Sequence, residues 1–265
     1  MPDEVKFINF LHALNLHRKL THGNHSQVHE QDNHHAHEIF QSSTINALIR
    51  GDYDGDMTYG QLREYGNFGL GTFNGLDGEM IACDGIFYQI KADGIAYPVD
   101  DTQKTPFAVV QFFEPDFNDK LEQEMEYEQL KDYLNMMLPT GNLFYAIRID
   151  GFFTHVKVRS VPGQVHPYPP LDEVLKTQTV FELLNVEGTL AGFRFPDYAL
   201  GINEPGYHLH FITKERKKGG HVFELQLKKG QVAVEHTSNF YMEIPNKENI
   251  PDNDIVKDQG RYYIG

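Results

Sequence analysis

Cysteine is nearly absent from this sequence: Cys83 stands alone among 265 residues. A lone cysteine excludes an intrachain disulfide framework and any cysteine-rich zinc module. Tryptophan is missing altogether, and cations are scarce, with 23 Lys and Arg against 38 Asp and Glu and a formal charge of −15. A nucleic-acid binder must neutralise phosphates with clustered cations, so this balance argues against such a partner. It argues equally against an anionic membrane surface. No apolar run approaches the roughly 18–20 residues of a membrane span. The N-terminus, MPDEVKFINFLHALNLHRKL, carries early acids and lacks the long apolar stretch of a secretory signal. A cytoplasmic location without membrane contact is the expectation.

What the sequence has in excess is histidine. Fourteen are present. Eight of these lie in the first 37 residues: His12, His17, His22, His25, His29, His34, His35 and His37. Residues 1–37 read as a flexible His-rich segment, with residues 21–37 a polar tail and a short amphipathic helix over 5–15 ahead of it. Adventitious metal capture and a plain solvated tail are its two readings. Residues 38–50 pattern as a helix, and Thr58 to Gln61 as a capping box. From Gly75 the pattern turns to strands. Asp84-Gly85 and Asp93-Gly94 divide GEMIACDGIFYQIKADGIAYPV into a meander, because Asp-Gly supplies the left-handed conformations a hairpin needs. Residues 107–113 read as a buried strand and 123–138 as a helix stopped by Pro139. Asp150-Gly151 is expected to turn between two further strands, and 171–178 to form a short helix. Pro162, Pro167, Pro169 and Pro170 form the expected seam. The fold class is therefore α+β and β-rich: two subdomains of mixed or antiparallel sheet, 38–161 and 162–265, with a few short helices. The second would carry the metal site.

That site is the most informative stretch, residues 206–227, GYHLHFITKERKKGGHVFELQL. On a strand, Tyr207, Leu209 and Phe211 take one face while His208 and His210 share the other, about 7 Å apart at ~3.4 Å per residue. A hairpin folded about residues 215–216 brings His221 opposite His210. Three imidazoles with an open position are what a catalytic metal requires. The nitrogen ligands suit zinc, while nickel, copper, iron and cobalt are also compatible. His208, His210 and Glu215 also obey H-x-H-x4-E, the start of a cupin metal site. Glu215, however, falls in a charged turn, KERKK. Two apparent motifs fail. Asp52, Asp54 and Asp56 mimic an EF-hand, but Gly55 is misplaced and Arg63 stands where Glu is needed. GLGTFNG lacks the third glycine and the following helix of a dinucleotide loop.

Several segments together are similar to the α-acetolactate decarboxylases. They are residues 66–99, NLFYAIRIDGFF (142–153), VKVRS (156–160), and GYHLHF followed by GGHVFEL (206–225). The resemblance spans about 39–245 in one register. It implies a zinc-dependent decarboxylation of 2-acetolactate to (R)-acetoin and CO2 through a metal-stabilised enediolate, and a homodimer. The substrate would be a small 2-hydroxy-3-oxo acid. The family's zinc ligands match His208, His210 and His221, its glutamate of the GTFNxLDGE segment matches Glu79, and its arginine matches Arg159. Its second active-site glutamate, from a longer acidic tail, matches nothing near RYYIG, and Glu243 and Glu248 lie too early in the register.

With that resemblance, Arg159 would position substrate and supply positive charge where the enediolate develops. Glu79 shares a strand face with Ile81 and Cys83, so burial would raise its pKa toward a proton donor's range. Thr72 would donate a hydrogen bond to substrate. Cys83 reads as a small core residue and Arg148 as structural. The alternatives to a decarboxylase are a cupin-like metal oxygenase and a homologue that binds metal and ligand without turnover.

Overall fold

Period-two burial organises the chain, as the computed structural model shows for residues 37–245. In order, these residues form β1 (Glu38–Ser42), α1 (Ile45–Ile49), β2 (Met57–Thr58), α2 (Tyr59–Leu62), β3 (Phe68–Thr72), β4 (Glu79–Cys83), β5 (Ile86–Ile90), β6 (Ala96–Pro98), β7 (Lys104–Thr105), β8 (Ala108–Gln111), β9 (Phe117–Leu121), β10 (Met125–Glu126), α3 (Tyr127–Met137), β11 (Phe144–Ser160), α4 (Leu171–Leu175), β12 (Thr179–Phe195), β13 (Gly206–Thr213), β14 (Gly219–Thr237) and β15 (Asn239–Glu243). This is the β-rich α+β chain expected. The His-rich segment, apart from His37, and the helix over 5–15 lie outside the described residues.

A seven-stranded sheet runs β15–β1–β8–β3–β4–β5–β6, and a six-stranded sheet is built on β10–β14–β11–β12–β13, with β9 also on β14. Because β13 pairs with the start of β14 as well as with β12, the strands β14, β11, β12 and β13 close into a ring. The alternation of side chains fixes how the two sheets meet. Ile39, Leu70, Ile81, Cys83 and Val109 of the first sheet pack in one core with Ala146, Ala191, Phe193 and Ile212 of the second. Their strand neighbours turn the other way. Phe40, Met80, Ala82 and Val110 pack with Tyr59, Leu62 and Phe87. Ile147, Ile149, Leu190, Leu209 and Phe211 pack with Leu130 and Leu134 of α3. Both sheets are therefore covered on both faces, and the layer between them is shared.

Local signals hold where nothing tertiary competes. Thr58 and Gln61 make the capping box of α2, and Asp84 and Gly85, at φ 56° and 77°, make the β4–β5 turn. Two expectations give way. Residues 38–42 are strand rather than helix, because β1 lies between β15 and β8 and its backbone pairs on both sides. Ser43 at φ 63° ends it. The Thr44 side chain then caps α1 by accepting from the Ala47 amide at 3.2 Å.

Asp150-Gly151 is no turn either: β11 runs straight through it. Gly151 aligns with Gly188 on one side and Gly230 on the other. A Cβ on Gly151 would stand 2.7 Å from the Lys229 carbonyl oxygen and 2.8 Å from Leu227 Cδ1. The glycine serves close strand approach, not chain reversal. Gly151→Ala is accordingly expected to lower the unfolding free energy by about 1–3 kcal/mol. Denaturant unfolding of the variant beside the parent chain measures it.

The sheets do not divide at the proline link. β11 lies before Pro162 yet belongs with β12 to β14, and β15, from the end of the described chain, returns to the first sheet.

Candidate metal centre

The shared layer between the sheets changes character at one end. There the apolar side chains give way to histidine, glutamate and arginine. His208 and His210 point into that layer because they share a strand face with Ile212, which packs there. The β13–β14 hairpin places His210 directly opposite His221. The register follows from the turn TKERKK, where Arg216 takes φ 56°. His221 is flanked on its other side by Arg159 of β11.

The three imidazoles are buried, and their ligand nitrogens lie within 4.8 Å of one another. Ring centroids are 5.1–5.3 Å apart. His210 Nδ1 lies 2.7 Å from the Met80 carbonyl oxygen of β4. That contact requires a proton on Nδ1, which makes the neutral Nε2 an acceptor. Nε2 and the Nδ1 of His208 are buried without a hydrogen-bond partner. Buried polar atoms are rarely left so. Burial keeps both rings neutral, with His210 pushed down to about 3 and His208 well below its usual value. Neutral, converging, unsatisfied nitrogens are the donor set a transition metal takes, and an ion here would satisfy them.

Glu79 and Thr72 reach the same place from the first sheet, opposite each other on β4 and β3. Glu79 Oε2 is 3.6 Å from His210 Nε2, and its Oε1 is 3.9 Å from Arg159 Nε. Burial pushes the Glu79 carboxyl up to about 7, against the opposing pull of Arg159. Arg159 is 5% exposed. It is held by its neighbours rather than by solvent: Nη1 donates to Gln178 Oε1 at 3.2 Å, and its guanidinium sits 5.3 Å from the Phe223 ring centroid. Its Nε–H has no hydrogen-bond acceptor. Thr72 lines the cleft. Its hydroxyl donates to the Gly78 carbonyl at 2.7 Å, so it faces a ligand as an acceptor, not as the donor expected from sequence.

Other singled-out residues stay apart. Glu215 is exposed on the hairpin turn, which removes the carboxylate a cupin-type site would need. Asp54 is engaged by His166 and Tyr168. Arg148 pairs with Asp84 and Asp150. Burial pushes the Cys83 thiol up to about 12, so it stays an inert core group. Sequence reasoning missed Gln178 and Glu204. Glu204 lines the cleft from the loop before β13, where no periodicity marks it. Its closeness in sequence to His208 was the sole available signal.

The family model for alpha-acetolactate decarboxylase matches residues 39–257. An alpha-acetolactate decarboxylase of Methylococcus capsulatus is 50% identical over 226 residues, covering 85% of this chain and 87% of the relative. One of Methanosarcina mazei is 53% identical over 207 residues, covering 78% and 72%. The crystal structure of alpha-acetolactate decarboxylase from Bacillus subtilis strain 168 superposes with a TM-score of 0.78 at 46% identity, covering 80% of this chain and 90% of that one.

Proposed function

Since the chain belongs to the alpha-acetolactate decarboxylase family, we propose that its carboxy-lyase chemistry converts 2-acetolactate to (R)-acetoin and CO2 at His208, His210 and His221, with zinc as the resident ion. The observation that carries this reading is the buried cluster of three imidazoles beside the Arg159–Glu79 pair. His208, His210 and His221 would hold the metal, which would supply Lewis acidity to the substrate's oxygens.

The remaining work falls to this chain's own side chains. Arg159 offers its Nε–H, which makes no hydrogen bond within the protein, to a substrate oxygen. It also holds positive charge where negative charge grows, in a site with little water to screen it. Gln178 fixes the guanidinium by its Nη1, so the donor is already oriented before substrate arrives. Glu79, with its carboxyl near 7, holds a proton at neutral pH in a useful fraction of molecules and is placed to deliver it to the new carbanion centre. Thr72 accepts a hydrogen bond from the substrate hydroxyl. Leu76 and Phe107 line the cleft and help exclude water. No helix among the described residues is long and apolar enough to cross a membrane. The family resemblance supports a homodimer.

Racemic 2-acetolactate is the test substrate. Release of CO2 and a single acetoin enantiomer should exceed the spontaneous rate, stop with chelator and return with zinc. Release that persists in a chain stripped of metal would refute the metal-centred reading. Restoration by iron or nickel but not zinc would change the ion.

A further inference from the structure

Loss of CO2 from a carboxylate consumes one proton per turnover. The electron pair of the broken carbon–carbon bond stays on carbon and is capped there, so that R–COO⁻ and H⁺ become R–H and CO2. Within the cleft, Glu79 is only 8% exposed. A carboxyl that deep needs a supply of protons from outside. Glu204 is a second carboxylate lining the same cleft, and it is half-buried where Glu79 is buried. Its charge, like that of Glu79, acts on Arg159.

The backbone that presents Glu204 is anchored. Asn203 is fully buried. Its Nδ2 donates to Gln41 Oε1 at 2.7 Å, and its Oδ1 accepts from the Glu204 amide at 2.7 Å. Gln41 Nε2 donates in turn to the Ile202 carbonyl at 2.8 Å. Pro205 then fixes the following φ. The first sheet, through Gln41 of β1, thus fixes a carboxylate at the metal cleft.

We infer that Glu204 is the acid through which solvent protons enter the active site. In each turnover it passes one proton into the cleft, where the carbon that lost CO2 takes it, and recovers one from water. The inference rests on the decarboxylase reading above.

The test is Glu204→Gln in the full chain, with zinc loaded and acetoin release followed at fixed pH and ionic strength. A general acid contributes about 10²–10⁴-fold, so kcat should fall by at least about tenfold in the glutamine variant. KM should move less than about twofold, and zinc content and thermal midpoint should match the parent. Added acetate should raise kcat of the variant in proportion to its concentration and leave the parent unchanged. A purely structural role would not give that response. Glu204→Asp keeps a carboxyl group and should be less impaired and less acetate-dependent, which covers the case of a poorly folded glutamine variant. Unchanged kcat in Glu204→Gln, or a loss that acetate does not restore, overturns the inference. Absence of acetoin from the parent chain in the same assay would instead overturn the functional reading itself.

Discussion

His208→Ala is expected to abolish metal retention and to lower acetoin production by about a thousandfold or more. A Lewis acid at a developing oxyanion is worth several kcal/mol, and each 1.36 kcal/mol is about a factor of ten in rate. Two remaining imidazoles cannot hold the ion as three do. His208 is the clean position for the experiment because its Nδ1 makes no hydrogen bond within the protein. His210→Ala should lose as much activity, and it also removes the contact between the ring Nδ1 and the Met80 carbonyl that ties the cluster to β4. Elemental analysis and acetoin assay of both variants measure the losses. Metal content near one ion per chain in His208→Ala would remove His208 from the ligand set. The histidines of residues 1–36 could confuse that count, so it belongs on protein truncated before Glu38.

Arg159 should give the second largest effect, and its two obvious replacements should differ in kind. Arg159→Lys keeps the charge but loses the planar fork, in which Nη1 holds Gln178 and Nε–H makes no hydrogen bond. Its turnover is expected to fall about 10²-fold, as when one preorganised donor is removed from a developing charge, with little change in stability. Arg159→Gln also leaves the buried Glu79 without the cation 3.9 Å away. Breaking a buried ion pair costs about 3–5 kcal/mol when one charge is left behind. The Glu79 carboxyl then takes up a proton more readily, so the penalty grows as pH rises. Denaturant midpoints at pH 5 and pH 8 measure that growth. Glu79→Gln in the Arg159→Gln background should recover much of the lost stability and none of the activity. Full turnover in Arg159→Lys would show that charge alone is used.

Asp-Gly shows why part of the fold was legible and part was not. The same dipeptide makes a turn at Asp84-Gly85 and an uninterrupted strand at Asp150-Gly151. Glycine permits both outcomes. At residue 85 the short neighbouring strands β4 and β5 pair with each other across it. At residue 151 two flanking strands, each carrying its own glycine, pair straight past it. Residues 38–42 fail as a helix for a similar reason, being taken into a sheet between strands from residues 108–111 and 239–243. Intrinsic helix preference is worth tenths of a kcal/mol per residue, less than the backbone pairing on two sides that replaces it.

The three-histidine cluster follows from contacts local in the chain. Alternation puts His208 and His210 on one strand face, and a short hairpin fixes which residue lies opposite His210. The sequence also determined that Glu79 would sit among apolar neighbours, because its strand partners Ile81 and Cys83 declare a buried face. Tertiary packing supplies what comes from elsewhere in the chain. The layer between the sheets carries Glu79 and Thr72 to histidines well over a hundred residues away in sequence and sets the Met80 carbonyl beside His210, while the pairing of β11 with β12 brings Gln178 to Arg159. Tertiary packing also brings Glu204, on a loop without any periodic signature, into the cleft. Periodicity states which way a side chain faces. It does not state what it will face, because that depends on how two sheets pack, and the packing is set by the whole of both surfaces.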